Sequence, residues 1–173
     1  MNAIARILPP ADAGDDPVNG SALGHQPALL AAFNRLYTTL WSHGELDHPA
    51  KEIARLRNAR ITNCVFCRNA RFSQARDDGL TEDKVAFIND GFEESPLDDR
   101  AKLIIRYADV FLKDPRSLAT KPGLREDMLR QFTPAQVVEL TSALALFMGF
   151  SKIAVSVGGM PESMPTMVVP TPV

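Results

Sequence analysis

The chain has 173 residues, 45% hydrophobic and 23% charged. That allows one sizeable core and excludes a disordered chain or a pair of ordinary domains. A net charge of −2 gives no global pull toward nucleic acid or an anionic membrane surface. Ala3 to Leu8 is too short an apolar stretch for a secretory leader and runs into Pro9 and Pro10. The apolar run from Leu140 to Val157 is interrupted by Thr141, Ser142, Gly149, Ser151, Lys152 and Ser156, so no membrane span is expected. These features place the protein in the cytosol. In a reducing compartment its two cysteines point to catalysis or metal binding before structure.

In chain order, residues 1–21 are rich in Pro, Gly and Asp and read as an extended arm. From Pro27, Leu29, Leu30, Phe33, Leu36, Tyr37, Leu40 and Trp41 recur at helical spacing until Gly44. Asp47-His48-Pro49 opens a second helix, because proline suits the first turn. Thr62-Asn63 interrupts it. Asn63 is then the expected N-cap of a third helix, from about Cys64 to Asp77 with a stop at Gly79. Thr81 starts a short helix through Phe87 and Ile88.

Leu97, Ala101, Ile104, Ile105, Ala108 and Phe111 form an amphipathic face closed by Asp114-Pro115. A short helix follows from Arg125 to Phe132, and Thr133-Pro134 opens a last one to Val157, apolar on most sides. The pattern predicts an all-α, single-domain bundle of about six to seven helices over residues 22–157, with no strand. Residues 158–173, rich in Pro and Met, read as an extended tail lying across a surface, with its methionines filling gaps at an interface. The apolar last helix and tail predict a homo-oligomer.

The chemical centre is Cys64-Val65-Phe66-Cys67. Two thiols three residues apart share a helix face. In a first helical turn, unpaired N–H groups favour the thiolate, and Arg55, Arg57, Arg60, Arg68, Arg71 and Arg76 add positive charge nearby. Two other readings stay open: a pair of core cysteines, and a zinc site. The second is poor, because only His25, His43 and His48 are available to complete four ligands and their spacing is wrong.

The stretch from Glu52 to Arg71, with Glu52, Cys64 and Cys67 at their spacing in an all-helical setting, resembles the alkylhydroperoxidase D-like proteins of the carboxymuconolactone decarboxylase superfamily. The resemblance covers roughly Pro27 to Val157. It implies an all-α fold, a trimer or hexamer, and reduction of a small-molecule hydroperoxide with an external dithiol as reductant and no cofactor. It makes Cys67 the peroxidatic thiol, Cys64 the resolving thiol and Glu52 the start of a proton relay. The family's relay histidine corresponds to Arg71, and arginine does not release its proton. Weak peroxidase activity or an altered substrate is therefore implied, with Arg71 or Arg68 stabilising a thiolate or binding an anionic group. His48 and His43 are candidates to replace the missing histidine. The other branch of the superfamily suggests an alternative, a lyase or isomerase acting on a small organic acid held by an arginine; a non-catalytic redox-sensing oligomer is a third. Arg55, Arg57 and Arg60 by themselves read as a solvated face or an ion-pair set, and Tyr37 and Trp41 as core.

Overall fold

The computed structural model describes residues 7–12, 21–120, 122–157 and 162–173. Most of the expected N-terminal arm and the first residues of the tail lie outside the described residues.

A single turn at Ala22–His25 precedes α1, Pro27–Ser42. The next helix, α2, spans His48–Ile61 and starts where Asp47 caps it, its carboxylate accepting the Ala50 N–H at 3.0 Å. Every residue of α2 from Ala50 to Ala59 is buried, so this helix is the axis of the molecule. It packs chiefly against α6 (Asp99–Lys113) and α9 (Pro134–Val157). The core around it is made of side chains such as Trp41, Leu56, Ile104, Ile105, Leu140 and Leu144.

Between these lie α3 (Val65–Asn69), α4 (Ser73–Asp77), α5 (Glu82–Ala86), α7 (Arg116–Thr120) and α8 (Pro122–Gln131). The described residues thus hold nine α-helices. The all-α expectation is met and the helix number exceeded, for two reasons. The expected single helix from Cys64 to Asp77 is split, and α7 had no separate sequence signal.

The split is caused by a strand. Ala70–Phe72 forms β1 and pairs in parallel with β2, Met167–Val169, in the register Ala70 to Met167 and Phe72 to Val169. The tail therefore lies across the chain's own domain. Thr171 accepts from the Gln74 N–H at 3.0 Å, and the Pro172 carbonyl accepts from Ser42 Oγ.

The junction between α2 and α3 also differs from expectation. Asn63 does not cap α3; it takes a left-handed conformation, φ 53°. The Asn63 and Cys64 N–H groups bond back to the carbonyls of Arg60 and Ala59, which closes α2. Asparagine tolerates this conformation better than most residues. The cap of α3 is Cys64 itself, whose sulfur accepts from the Cys67 N–H at 3.3 Å.

By length and composition α9 is apolar enough to cross a membrane, a test that a core helix also passes. Within the fold, Leu140, Ala143, Leu144, Phe147 and Ser151 form its buried face. Val138, Ile153 and Val155 remain exposed on it, as do Leu29 and Leu36 on α1.

Candidate active site

Burying the whole middle of α2 imposes a condition on its polar residues. Lys51, Glu52, Arg55, Arg57 and Asn58 are all buried, and a buried charge or amide is costly unless it is partnered. Lys51 reaches Glu139 at 2.8 Å and the Leu40 carbonyl at 2.7 Å. Arg57 pairs with Asp109 and Asp90. The arginine series is thus an ion-pair set rather than a solvated face, with Arg60 bonded to the Val85 carbonyl.

Glu52 and Arg55, three residues apart, share a face of α2. Arg55 donates from Nε to Glu52 Oε2 and from Nη2 to Oε1, each at 2.7 Å. Its remaining reach goes to the backbone around the cysteines: Nη1 to the Cys67 carbonyl and Nη2 to the Ala70 carbonyl, both at 2.7 Å. Burial works against this charge, but the Glu52 carboxylate outweighs it and holds Arg55 above its ordinary pKa. Glu52 also accepts from the Phe72 N–H at 3.3 Å. Its bonds run to Arg55 and β1, and Arg55 stands between it and Cys67.

Cys64 and Cys67 form a disulfide, with 5.2 Å between their Cα atoms. Both are buried, yet they are not equivalent: Cys67 forms part of a cavity wall and Cys64 lies behind it, with no exposed surface. Because α3 has only five residues, its macrodipole is small, and individual donors must do the work expected of a helix terminus. One such donor is Ser151 on α9, whose Oγ is 3.6 Å from Cys67 Sγ and accepts from Asn58 Nδ2 at 2.9 Å.

The cavity measures about 570 Å³. Phe33 and Tyr37 of α1, Phe66 of α3, Phe72 of β1, and Phe147 and Phe150 of α9 give it an aromatic lining. Met167, Val169, Pro170 and Pro172 of the tail complete the wall. Among the described residues that line it, Arg55 alone is charged. Trp41 is core, as expected, whereas Tyr37 belongs to the cavity. Burial pushes the Tyr37 phenol up to about 12, against the opposing charge of Arg55, so the hydroxyl stays protonated at neutral pH.

Glu52, Cys64 and Cys67 are therefore brought together through Arg55. Four other expected residues are not. Arg71 turns to Glu82, at 3.0 Å, and to the Arg68 and Ala70 carbonyls; it does not line the cavity. Arg68 is half-buried and also absent from the cavity wall. His43 is exposed at the end of α1, and the His48 ring stacks on Trp41; neither reaches the cavity. Residues the sequence reading missed are Arg55 as the partner of Glu52, and Asn58 and Ser151. The spacing of Glu52 and Arg55 was a usable signal for the first. A lone asparagine and serine gave none. Among the described residues, no three His, Cys, Asp or Glu side chains gather as a metal site.

Residues 27–91 match the carboxymuconolactone decarboxylase family. Uncharacterised proteins from two strains of Mycobacterium tuberculosis are each 33% identical over 135 residues, 78% of this chain and 46% of theirs. The chain thus spans about half the length of the curated relatives it matches. A crystal structure of a protein of unknown function from Agrobacterium tumefaciens, described as a candidate AhpD antioxidant defence protein, superposes with a TM-score of 0.67. That match has 22% identity and covers 78% of this chain and 91% of the other.

Proposed function

Since the chain belongs to the carboxymuconolactone decarboxylase superfamily and has an alkylhydroperoxidase D-like fold, we propose that it is a dithiol peroxidase for apolar organic hydroperoxides. The observation that carries this reading is the asymmetry of the pair: Cys67 faces an aromatic cavity, and Cys64 lies sealed behind it within disulfide reach.

The chemistry balances without a cofactor. The Cys67 thiolate attacks one peroxide oxygen and the O–O bond breaks. The other oxygen leaves as an alkoxide and takes up the proton released when Cys67 ionised, giving an alcohol and a Cys67 sulfenic acid. Cys64 then attacks the Cys67 sulfur; the S–S bond forms, the S–O bond breaks, and the hydroxyl leaves as water with the Cys64 proton. An external dithiol reduces the disulfide by exchange and is itself oxidised. In this cycle the Glu52–Arg55 pair fixes the backbone at Cys67 through its carbonyl, a positioning role rather than a proton relay.

The substrate class follows from the lining. An apolar substituent gains from leaving water, whereas a carboxylate would find Arg55 already bound to Glu52 and two carbonyls. This disfavours the organic-acid alternative. With a small dithiol as reductant, kcat/KM for cumene hydroperoxide is expected to exceed that for hydrogen peroxide at least about tenfold, the equivalent of burying a modest apolar surface. Absence of dithiol-dependent hydroperoxide consumption would overturn the reading, and a preference for hydrogen peroxide would overturn the substrate class.

A further inference from the structure

Leu140, Leu144 and Phe147 set the apolar face that α9 turns to the core, and Ser151 falls on the same face one turn later. A hydroxyl there is costly unless something needs it. Its partners come from two different elements: Asn58, fully buried on α2, and the sulfur of Cys67 on α3. Among the described residues, Ser151 supplies the only side-chain hydrogen bond to that sulfur. A disulfide sulfur carries no proton, so the serine O–H is the donor, and the amide N–H of Asn58 fills the oxygen lone pair and turns the O–H toward sulfur.

As a simple polar tie between two helices the arrangement is poor. Asn58 Oδ1 is buried with no hydrogen-bond partner, which a pair chosen for stability alone would avoid.

We propose that Ser151, aimed by Asn58, is a positioning residue that holds the Cys67 sulfur as a thiolate facing the cavity in the reduced protein. The inference rests on the dithiol reading of the site. A hydroxyl donating to an anionic sulfur makes a stronger, charge-assisted bond than one donating to a neutral thiol, so it favours ionisation. Among the described residues, the other charged or titratable groups around the sulfur are Arg55 and Glu52 on α2, Tyr37 on α1 and Cys64 itself, and the tail brings none to the cavity. Arg55 spends its donors on Glu52 and on backbone carbonyls, and Arg71 on Glu82 and on carbonyls. Among the described residues, Ser151 is the side-chain donor placed against the sulfur.

The test is the pH dependence of iodoacetamide alkylation of Cys67, in full-length reduced protein carrying Cys64→Ser so that a single thiol reports. Adding Ser151→Ala is expected to move the onset of reactivity up by about one pH unit and to slow alkylation at pH 7 about tenfold, one charge-assisted hydrogen bond's worth. Asn58→Ala, which leaves the hydroxyl present but unaimed, is expected to move it in the same direction by less. Melting curves identify variants that have lost the fold, and the Asn58 variant answers the question if Ser151→Ala has. An unchanged onset in a folded Ser151→Ala or Asn58→Ala protein would overturn the proposal. The readout needs no turnover. A wild type inert to hydroperoxide with a serine-dependent onset would sink the peroxidase reading alone, and an active enzyme with a serine-independent onset would sink this one alone.

Discussion

Glu52→Leu is expected to destabilise the protein by about 3–5 kcal/mol, because it strands the Arg55 guanidinium, charged and buried, in the centre of the fold. For a chain of this size that corresponds to a fall in Tm of roughly 10 °C. The companion replacement Arg55→Met strands the buried Glu52 carboxylate in turn and also removes the side-chain donor to the Cys67 carbonyl, at about 1–3 kcal/mol, while the Ala70 carbonyl keeps its bond from Arg71. The double variant removes both charges, so its loss is expected to be smaller than the sum of the single losses. Denaturant midpoints for the four proteins give the coupling directly. Losses below about 1 kcal/mol for Glu52→Leu, or strict additivity, would contradict the pairing. The consequence for function is that Glu52 cannot be tested by activity alone. A dead Glu52 variant has first to be shown to be folded before any proton-transfer role is inferred.

Deleting residues 162–173 is expected to have the second largest effect, and on access rather than on the core. The tail contributes Met167, Val169, Pro170 and Pro172 to the cavity wall and is held by a three-residue ladder with a few side-chain bonds. Two or three net hydrogen bonds of about 1 kcal/mol each are enough to keep such a strap closed most of the time and loose enough to open locally. Reduction of the Cys64–Cys67 disulfide by a bulky thiol is expected to speed up about ten- to a hundredfold on truncation, which corresponds to removing that closure. KM for cumene hydroperoxide is expected to rise because one apolar wall is gone. Stopped-flow reduction of the oxidised protein, with and without the tail, checks this. Equal rates would mean that the tail does not cover the disulfide.

The two segments show why the fold was easy to read from the sequence and the site only partly so. Local signals held. Asp47-His48-Pro49 and Thr81 cap helices because an oxygen meets an N–H three residues on, and that depends on nothing distant. The strand at Ala70–Phe72 could not be read locally. Its residues continue a helical pattern, and only a partner almost a hundred positions away makes them extended. The same strand carries Arg71 toward Glu82, so the position that the resemblance assigns to a histidine is spent on an ion pair.

At the junction before it, Asn63 is a good residue for a cap and also for a left-handed turn, and closing α2 on Ala59 and Arg60 decided between the two. Ser151 stood in the sequence as a flaw in an apolar helix. The packing of α9 on α2 turns that flaw toward a sulfur eighty-four residues away.

The division of labour between the two cysteines can be read by trapping the first oxidation product. Reduced Cys64→Ser protein is mixed with one equivalent of cumene hydroperoxide in the presence of a sulfenic-acid probe, and the modified peptide is identified by mass spectrometry. One probe adduct is expected, on Cys67, together with one equivalent of alcohol; Cys67→Ser treated in the same way gives neither. An adduct on Cys64 in the Cys67→Ser protein at a comparable rate, or none in the Cys64→Ser protein, would contradict it.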